Sequence, residues 1–168
     1  VRELCTRYGI QMIADEVMCG WGRTGAWFAV DNWGVVPDLI TTAKGLTSSY
    51  APLGAVGMAP HIADYFDDHM FWGGLTYNTH PLGVAAAIAA IDVLEQDDLI
   101  GNAKRLEPVM RRHHEELAAT HPSVGRIRNI GLFGIIELVK NRETMEPLSP
   151  FNAMNETMQA LNRSLLDN

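Results

Sequence analysis

Apolar positions along this chain fall into two kinds of run. Short blocks bounded by glycine, proline or acidic residues cover Ile10–Ala14, Leu39–Ala43 and Leu53–Met58, and these predict strands. A longer stretch from Pro81 to about Glu95 has helical spacing instead. Val84, Ala85, Ala87, Ile88, Ile91 and Leu94 make it apolar on most faces, which predicts a helix that is buried or set in an interface. A second long helix is expected over about Leu99–Thr120, with Leu106, Met110, His113 and Leu117 on one face. Pro108 should kink or interrupt it near Arg105–Glu107, because proline removes a helical N–H and crowds the preceding turn.

Shorter elements complete the pattern. Residues 1–8 read as a helix closed by Gly9, Trp27–Trp33 as a short helix ended by Gly34 and Pro37, and Pro60–Phe66 as another. Gly73 to Pro81 is a polar loop. Val124–Asn129 and Leu132–Leu138 predict two more strands, and Met154, Met158, Leu161 and Leu165 a last helix. Strands alternating with helices in the first half predict an α/β fold with a mainly parallel sheet. A smaller α+β unit is expected to begin near residue 120–130. Both ends run into or beside elements, so the chain is expected to be an internal piece of a longer protein.

Composition narrows the function classes. A net charge of −7 with no basic stripe argues against nucleic acid as a partner. Cys5 and Cys19 have neither metal-ligand spacing nor a disulfide framework, and the histidines have no partner spacing for a metal. The apolar run Val84–Ile91 is too short to cross a bilayer, and no signal peptide is visible. These features predict a cytoplasmic protein without metal or membrane.

The candidate chemistry sits at the strand ends. Lys44 follows Leu39–Ala43 and precedes Gly45; Asp15 and Glu16 follow Ile10–Ala14. Burial at a strand end disfavours an ammonium, and a neutral amine is what a Schiff-base nucleophile requires. A carboxylate and a lysine so placed suit a cofactor whose ring nitrogen and carbonyl need opposite partners. In open α/β sheets ligands bind outside the carboxyl ends of the strands, which is where both residues fall. The ordinary readings compete: most lysines are solvated, and an aspartate at a strand end commonly bonds its own turn.

Gly20-Trp21-Gly22-Arg23-Thr24-Gly25 matches the dinucleotide fingerprint G-x-G-x-x-G. Its context is wrong, because Asp15–Cys19 separate it from the strand and Pro37 leaves too little room for the helix that should follow. Arg23 is expected to brace the loop through an ion pair. Trp21, Trp27 and Trp72 could line a pocket or simply pack.

Asp15-Glu16-Val17, then Gly20-x-Gly22-Arg23-x-Gly25, then Pro37-Asp38, then Lys44, then Gly74–Pro81 occur in an order that resembles the class III pyridoxal-phosphate aminotransferases. The resemblance runs along nearly the whole chain. It implies a fold-type I transferase, with residues 1–120 part of the cofactor-binding large domain and 121–168 the start of a smaller C-terminal domain. It also implies pyridoxal 5′-phosphate as cofactor. Asp15 would bind the protonated pyridine nitrogen and Lys44 would be the covalent attachment point. Val17 would pack on the ring, and Thr76 would reach the cofactor phosphate across a dimer interface. Asn78 and Thr79 depart from the family's serine and glycine.

The activity implied is transfer of an amino group from a small amino donor to a 2-oxo acid such as pyruvate, in a homodimer or dimer of dimers. Lys44–Tyr50 and Asn129–Gly134 look most like the ω-amino-acid:pyruvate branch, including taurine–pyruvate enzymes. The phosphate groove and the substrate-carboxylate arginine are expected outside this chain, so the piece alone is expected to be inactive. A decarboxylase or aminomutase on the same fold, a nicotinamide dehydrogenase, and a non-catalytic homologue are the rival readings.

Overall fold

The computed structural model describes residues 1–167. The chain divides into two compact units, Val1–Arg105 and the part from Leu106 onward.

In the first unit, helix α1 (Arg2–Tyr8) ends at Gly9, whose φ of 63° closes it in the left-handed conformation that glycine adopts without penalty. A three-stranded sheet follows in the order β1 (Ile13–Asp15), β2 (Leu39–Thr42) and β3 (Ala55–Met58). β1 is shorter than its apolar run and starts later. The Met12 amide goes to the Asp38 carboxylate at 2.6 Å, and the Met12 carbonyl accepts the amides of Asp38 and Leu39. Those bonds tie the segment to a loop instead of a ladder. Asp38 also pairs with Arg2 at 2.6 Å and lies 3.4 Å from His61, so one carboxylate fastens three segments at the end of the sheet where β2 begins.

β1 and β2 are parallel, as the alternation of strands and helices predicts. β3 is antiparallel to β2. Residues 43–54 hold only a 3-10 turn at Lys44–Leu46, with no crossover helix, so the chain reverses and comes back as a neighbour. The 3-10 helix Ala29–Trp33 ends at Gly34, and helix α2 (Pro60–Ala63) continues into a 3-10 turn over Asp64–Asp67. Helix α3 (Pro81–Gln96) begins with proline at its first position, and the His80 ring accepts the Leu82 amide. It packs on the Lys44–Leu46 turn. Gly83 and Ala87 are buried, whereas Leu82 and Ile88 are mostly exposed, so α3 does not bury its apolar faces within this chain.

Helix α4 (Leu99–Thr120) spans the division between the units and runs through Pro108 without interruption. One missing N–H in so long a helix is a local loss that the remaining bonds outlast. In the second unit, β4 (Val124–Ile130) and β5 (Phe133–Asn141) form a hairpin with Ile130 opposite Phe133, and β6 (Glu146–Pro147) pairs with β5. Gly131 turns the hairpin at φ 54°. The hairpin is anchored to α4 by Glu107, whose carboxylate accepts the Gly131 amide at 2.9 Å and whose carbonyl accepts Asn129 Nδ2 at 3.1 Å. Val124, Val139 and His114 are buried in this unit, and helix α5 (Glu156–Asp167) ends the described chain. No described helix is long and apolar enough to cross a membrane.

Candidate active site

The parallel pairing of β1 with β2 sets Asp15 opposite Thr41. The Glu16 amide donates to the Thr41 carbonyl at 2.9 Å and carries the pairing one residue further. Both strands therefore end at one edge of the sheet. There β1 gives way to a turn over Val17–Gly20, and β2 to the Lys44–Leu46 turn.

Asp15 Oδ1 accepts the Val17 amide at 3.1 Å and lies 3.4 Å from the Thr41 hydroxyl. The aspartate thus does form the turn with its own backbone that such a residue often makes. Its second oxygen, Oδ2, accepts nothing among the described residues, and Lys44 Nζ has no hydrogen bond or ion pair among them either. Both side chains are exposed, so the burial expected of a strand-end lysine is not supplied by this chain. Lys44 stands at φ 42°. That left-handed conformation costs a non-glycine residue roughly 1–2 kcal/mol, and such strain gathers where a side chain must be aimed.

Glu16 does the opposite of its neighbour. It is only 2% exposed, and its two oxygens accept the amides of Ala29 and Val30 at 2.9 Å each. A buried carboxylate at the start of the 29–33 helix satisfies amides that have no partner inside that helix. Alternation along β1 separates the two acids, since Ala14 and Glu16 point inward and Ile13 and Asp15 outward. Sequence reasoning found the pair but not this division. The signal was the alternation itself together with the apolar segment ahead of Ala29.

The glycine-rich loop follows the turn after β1. A Cβ on Gly22 would come within 2.9 Å of Ile100, and one on Gly25 within 3.2 Å of the Lys104 backbone. Both glycines have positive φ, at 88° and 78°. They let the loop lie against the first turns of α4, so packing accounts for the spacing that imitates a dinucleotide fingerprint. Arg23 is exposed and makes no ion pair among the described residues, contrary to expectation. The loop is held instead by backbone and side-chain bonds, Trp21 N to Trp27 O at 2.7 Å and Asn32 Nδ2 to Thr24 Oγ1 at 3.1 Å. Trp21 packs edge-on against Trp27 and Phe28. Trp72 is 90% exposed and packs on nothing comparable.

Val17 is half-buried beyond the end of β1, tied to Asp15 by its amide. Thr76 lies in a turn of the exposed loop 71–80, and no described contact joins it to Asp15 or Lys44. Burial raises the Cys19 thiol pKa, and the charges of Glu16 and Asp15 raise it further. No group of metal-ligating side chains is present among the described residues.

A parallel strand pair thus brings to one end of its sheet a carboxylate with an open oxygen and, in the turn that follows, a lysine with an open amine. The chain's family follows from comparison: the profile of the class-III aminotransferases matches residues 1–162, and the chain belongs to that family. It is 41% identical over 148 residues to the putrescine–pyruvate aminotransferase of Pseudomonas aeruginosa, covering 87% of this chain and 32% of that protein. It is 38% identical over 160 residues to the taurine–pyruvate aminotransferase of Bilophila wadsworthia, covering 89% and 34%. Among solved structures it resembles the taurine:2-oxoglutarate aminotransferase of Bifidobacterium kashiwanohense, in complex with PLP and glutamate. The TM-score is 0.94 at 43% identity, over 99% of this chain and 37% of that one. The chain therefore spans about a third of the length of the curated relatives it matches.

Proposed function

We propose that the full-length protein is a pyridoxal-phosphate-dependent aminotransferase that moves an amino group from an amino donor to a 2-oxo acid. The observation that carries this is the open Oδ2 of Asp15 and the open Nζ of Lys44 on adjacent parallel strand ends. These groups suit the cofactor. Asp15 would hold the ring N–H, Lys44 would attach covalently, and Val17 would pack on the ring. Thr76 would reach the phosphate from a second subunit of a homodimer.

When bound, pyridoxal phosphate supplies an electron sink for the substrate carbon. The chain's own contribution is electrostatic and protonic. An ionised Asp15 would keep a proton on the ring nitrogen by a charge-assisted bond. Lys44 Nζ would act as base toward the substrate carbon and then as acid toward the cofactor carbon that receives the proton. Named relatives that act on taurine and putrescine support a donor whose amine is terminal, with pyruvate as acceptor. Two unpaired cysteines and the absence of a membrane-spanning helix among the described residues support a cytoplasmic location.

The test is the absorbance spectrum of the full-length protein with pyridoxal phosphate, beside Lys44→Ala. A visible cofactor band in the parent, absent in the variant, supports Lys44 as the attachment point. Amino transfer to pyruvate then separates an aminotransferase from a decarboxylase or aminomutase. No band in the parent defeats the reading and leaves a non-catalytic homologue.

A further inference from the structure

Trp21 touches the Lys44 turn twice. Its indole Nε1 donates to Thr42 Oγ1 at 2.9 Å, and Thr42 is the last residue of β2. Thr42 is 6% exposed and Trp21 is half-buried, so that bond is partly shielded from water. On the other side of Lys44, a Cβ on Gly45 would stand 2.8 Å from Trp21 Cβ, so the tryptophan lies directly on the Gly45 backbone. Lys44 is thus fixed from both flanks while holding φ 42°. Trp21 is itself anchored by its amide on the Trp27 carbonyl and its ring against Trp27 and Phe28, contacts that hold it at φ 60°.

From this we infer that Trp21 is a positioning residue for Lys44: it holds the left-handed turn that aims the amine at the sheet edge, acting through Thr42 and Gly45. The inference rests on the aminotransferase reading for what the amine is aimed at. A lysine relieved of either flank would relax toward ordinary backbone angles, since the left-handed region is unfavourable to any residue with a Cβ. The hydrogen bond from Trp21 to Thr42 fixes the entry to the turn, and the contact on Gly45 fixes its exit.

The experiment uses Trp21→Phe, Thr42→Val, the double variant and Thr42→Ser in the full-length protein. Two quantities are read. One is hydrogen exchange at the Leu46 amide, which closes the turn on the Ala43 carbonyl at 3.0 Å and needs no cofactor. The other is the equilibrium for covalent attachment of pyridoxal phosphate, from visible absorbance against cofactor concentration. Each single variant should speed Leu46 exchange and weaken attachment by about three- to tenfold, the worth of one uncharged hydrogen bond. The double variant should be no worse than either single, because both remove the same bond, and Thr42→Ser should restore both quantities.

Additive losses overturn the inference, as does unchanged Leu46 exchange. Faster exchange with attachment unchanged also overturns it, because Trp21 would then be structural only. If the parent attaches no cofactor, the aminotransferase reading has failed and with it any role toward the cofactor. Faster exchange in that case still upholds the hold of Trp21 on the Lys44 turn, so the two failures are told apart.

Discussion

The Glu16 carboxylate accepts the Ala29 amide at 2.9 Å from a position that is almost wholly buried. With the second bond to Val30, this one side chain joins the end of β1 to the start of the 29–33 helix. Adjacent acids at a strand end have become a structural member and a candidate cofactor contact.

Replacing Glu16 by alanine should therefore destabilise the full-length protein by about 3 kcal/mol, since two charged hydrogen bonds are lost and two amides are left without a partner. Asp15→Asn should stay within about 0.5 kcal/mol of the parent, as exposed substitutions usually do. On the proposed reading it should slow amino transfer by about 10- to 100-fold, the worth of one charged hydrogen bond. Urea unfolding and a pyruvate-coupled assay separate the two effects.

Asp38 predicts a pH dependence. The Met12 amide and then the Arg2 guanidinium hold its carboxyl below the usual carboxylate range, with His61 adding a smaller effect. A folded-state pKa below the unfolded one means stability that is fully present above the unfolded value of about 4 and lost as pH falls through the folded one. Asp38→Asn should lower the thermal midpoint at neutral pH, and the gap between parent and variant should close in acid. A gap that is constant with pH would show that the charge is irrelevant.

Gly134 sets a packing limit in the second unit. A Cβ there would lie 2.5 Å from His114 Cε1 and 2.6 Å from Met110 Cε. Gly134→Ala should cost about 1–3 kcal/mol, as overpacking generally does. Adding His114→Ala should recover part of that loss, since the ring it strikes is gone; denaturant midpoints of the two singles and the double measure the coupling.

Cys19 should alkylate slowly at neutral pH, because burial and then the neighbouring carboxylates disfavour its thiolate. Asp15→Asn removes one of those charges and should speed alkylation modestly, which iodoacetamide kinetics with peptide mapping would detect. Equal rates in the two proteins would leave burial and the Glu16 charge as the causes.

Much of this architecture was legible in the chain. Apolar periodicity gave α3 and α4 to within a residue or two, and Gly9 and Gly34 marked where helices stop. The strand ends that carry Asp15 and Lys44 were visible for the same reason. The direction of β3 was not, because it depends on what fills residues 43–54, and a 3-10 turn leaves little trace in composition. Nor was the task of Trp21: an indole N–H finds Thr42 only once two strands and a loop have come together. The ion pair expected of Arg23 required a partner that the fold does not bring to it among the described residues.

The inward and outward alternation of residues 13–16 has a consequence for how this protein can change length. Deleting one residue just ahead of Asp15 would shift the strand by one place, presenting Glu16 to the sheet edge and driving Asp15 into the interior. No amino acid type would have been altered at either position, yet the buried clasp and the open carboxylate would have exchanged addresses. A scan of single insertions and deletions should find this short strand intolerant. The exposed loop over residues 71–80 should absorb the same edits with far less damage to folding.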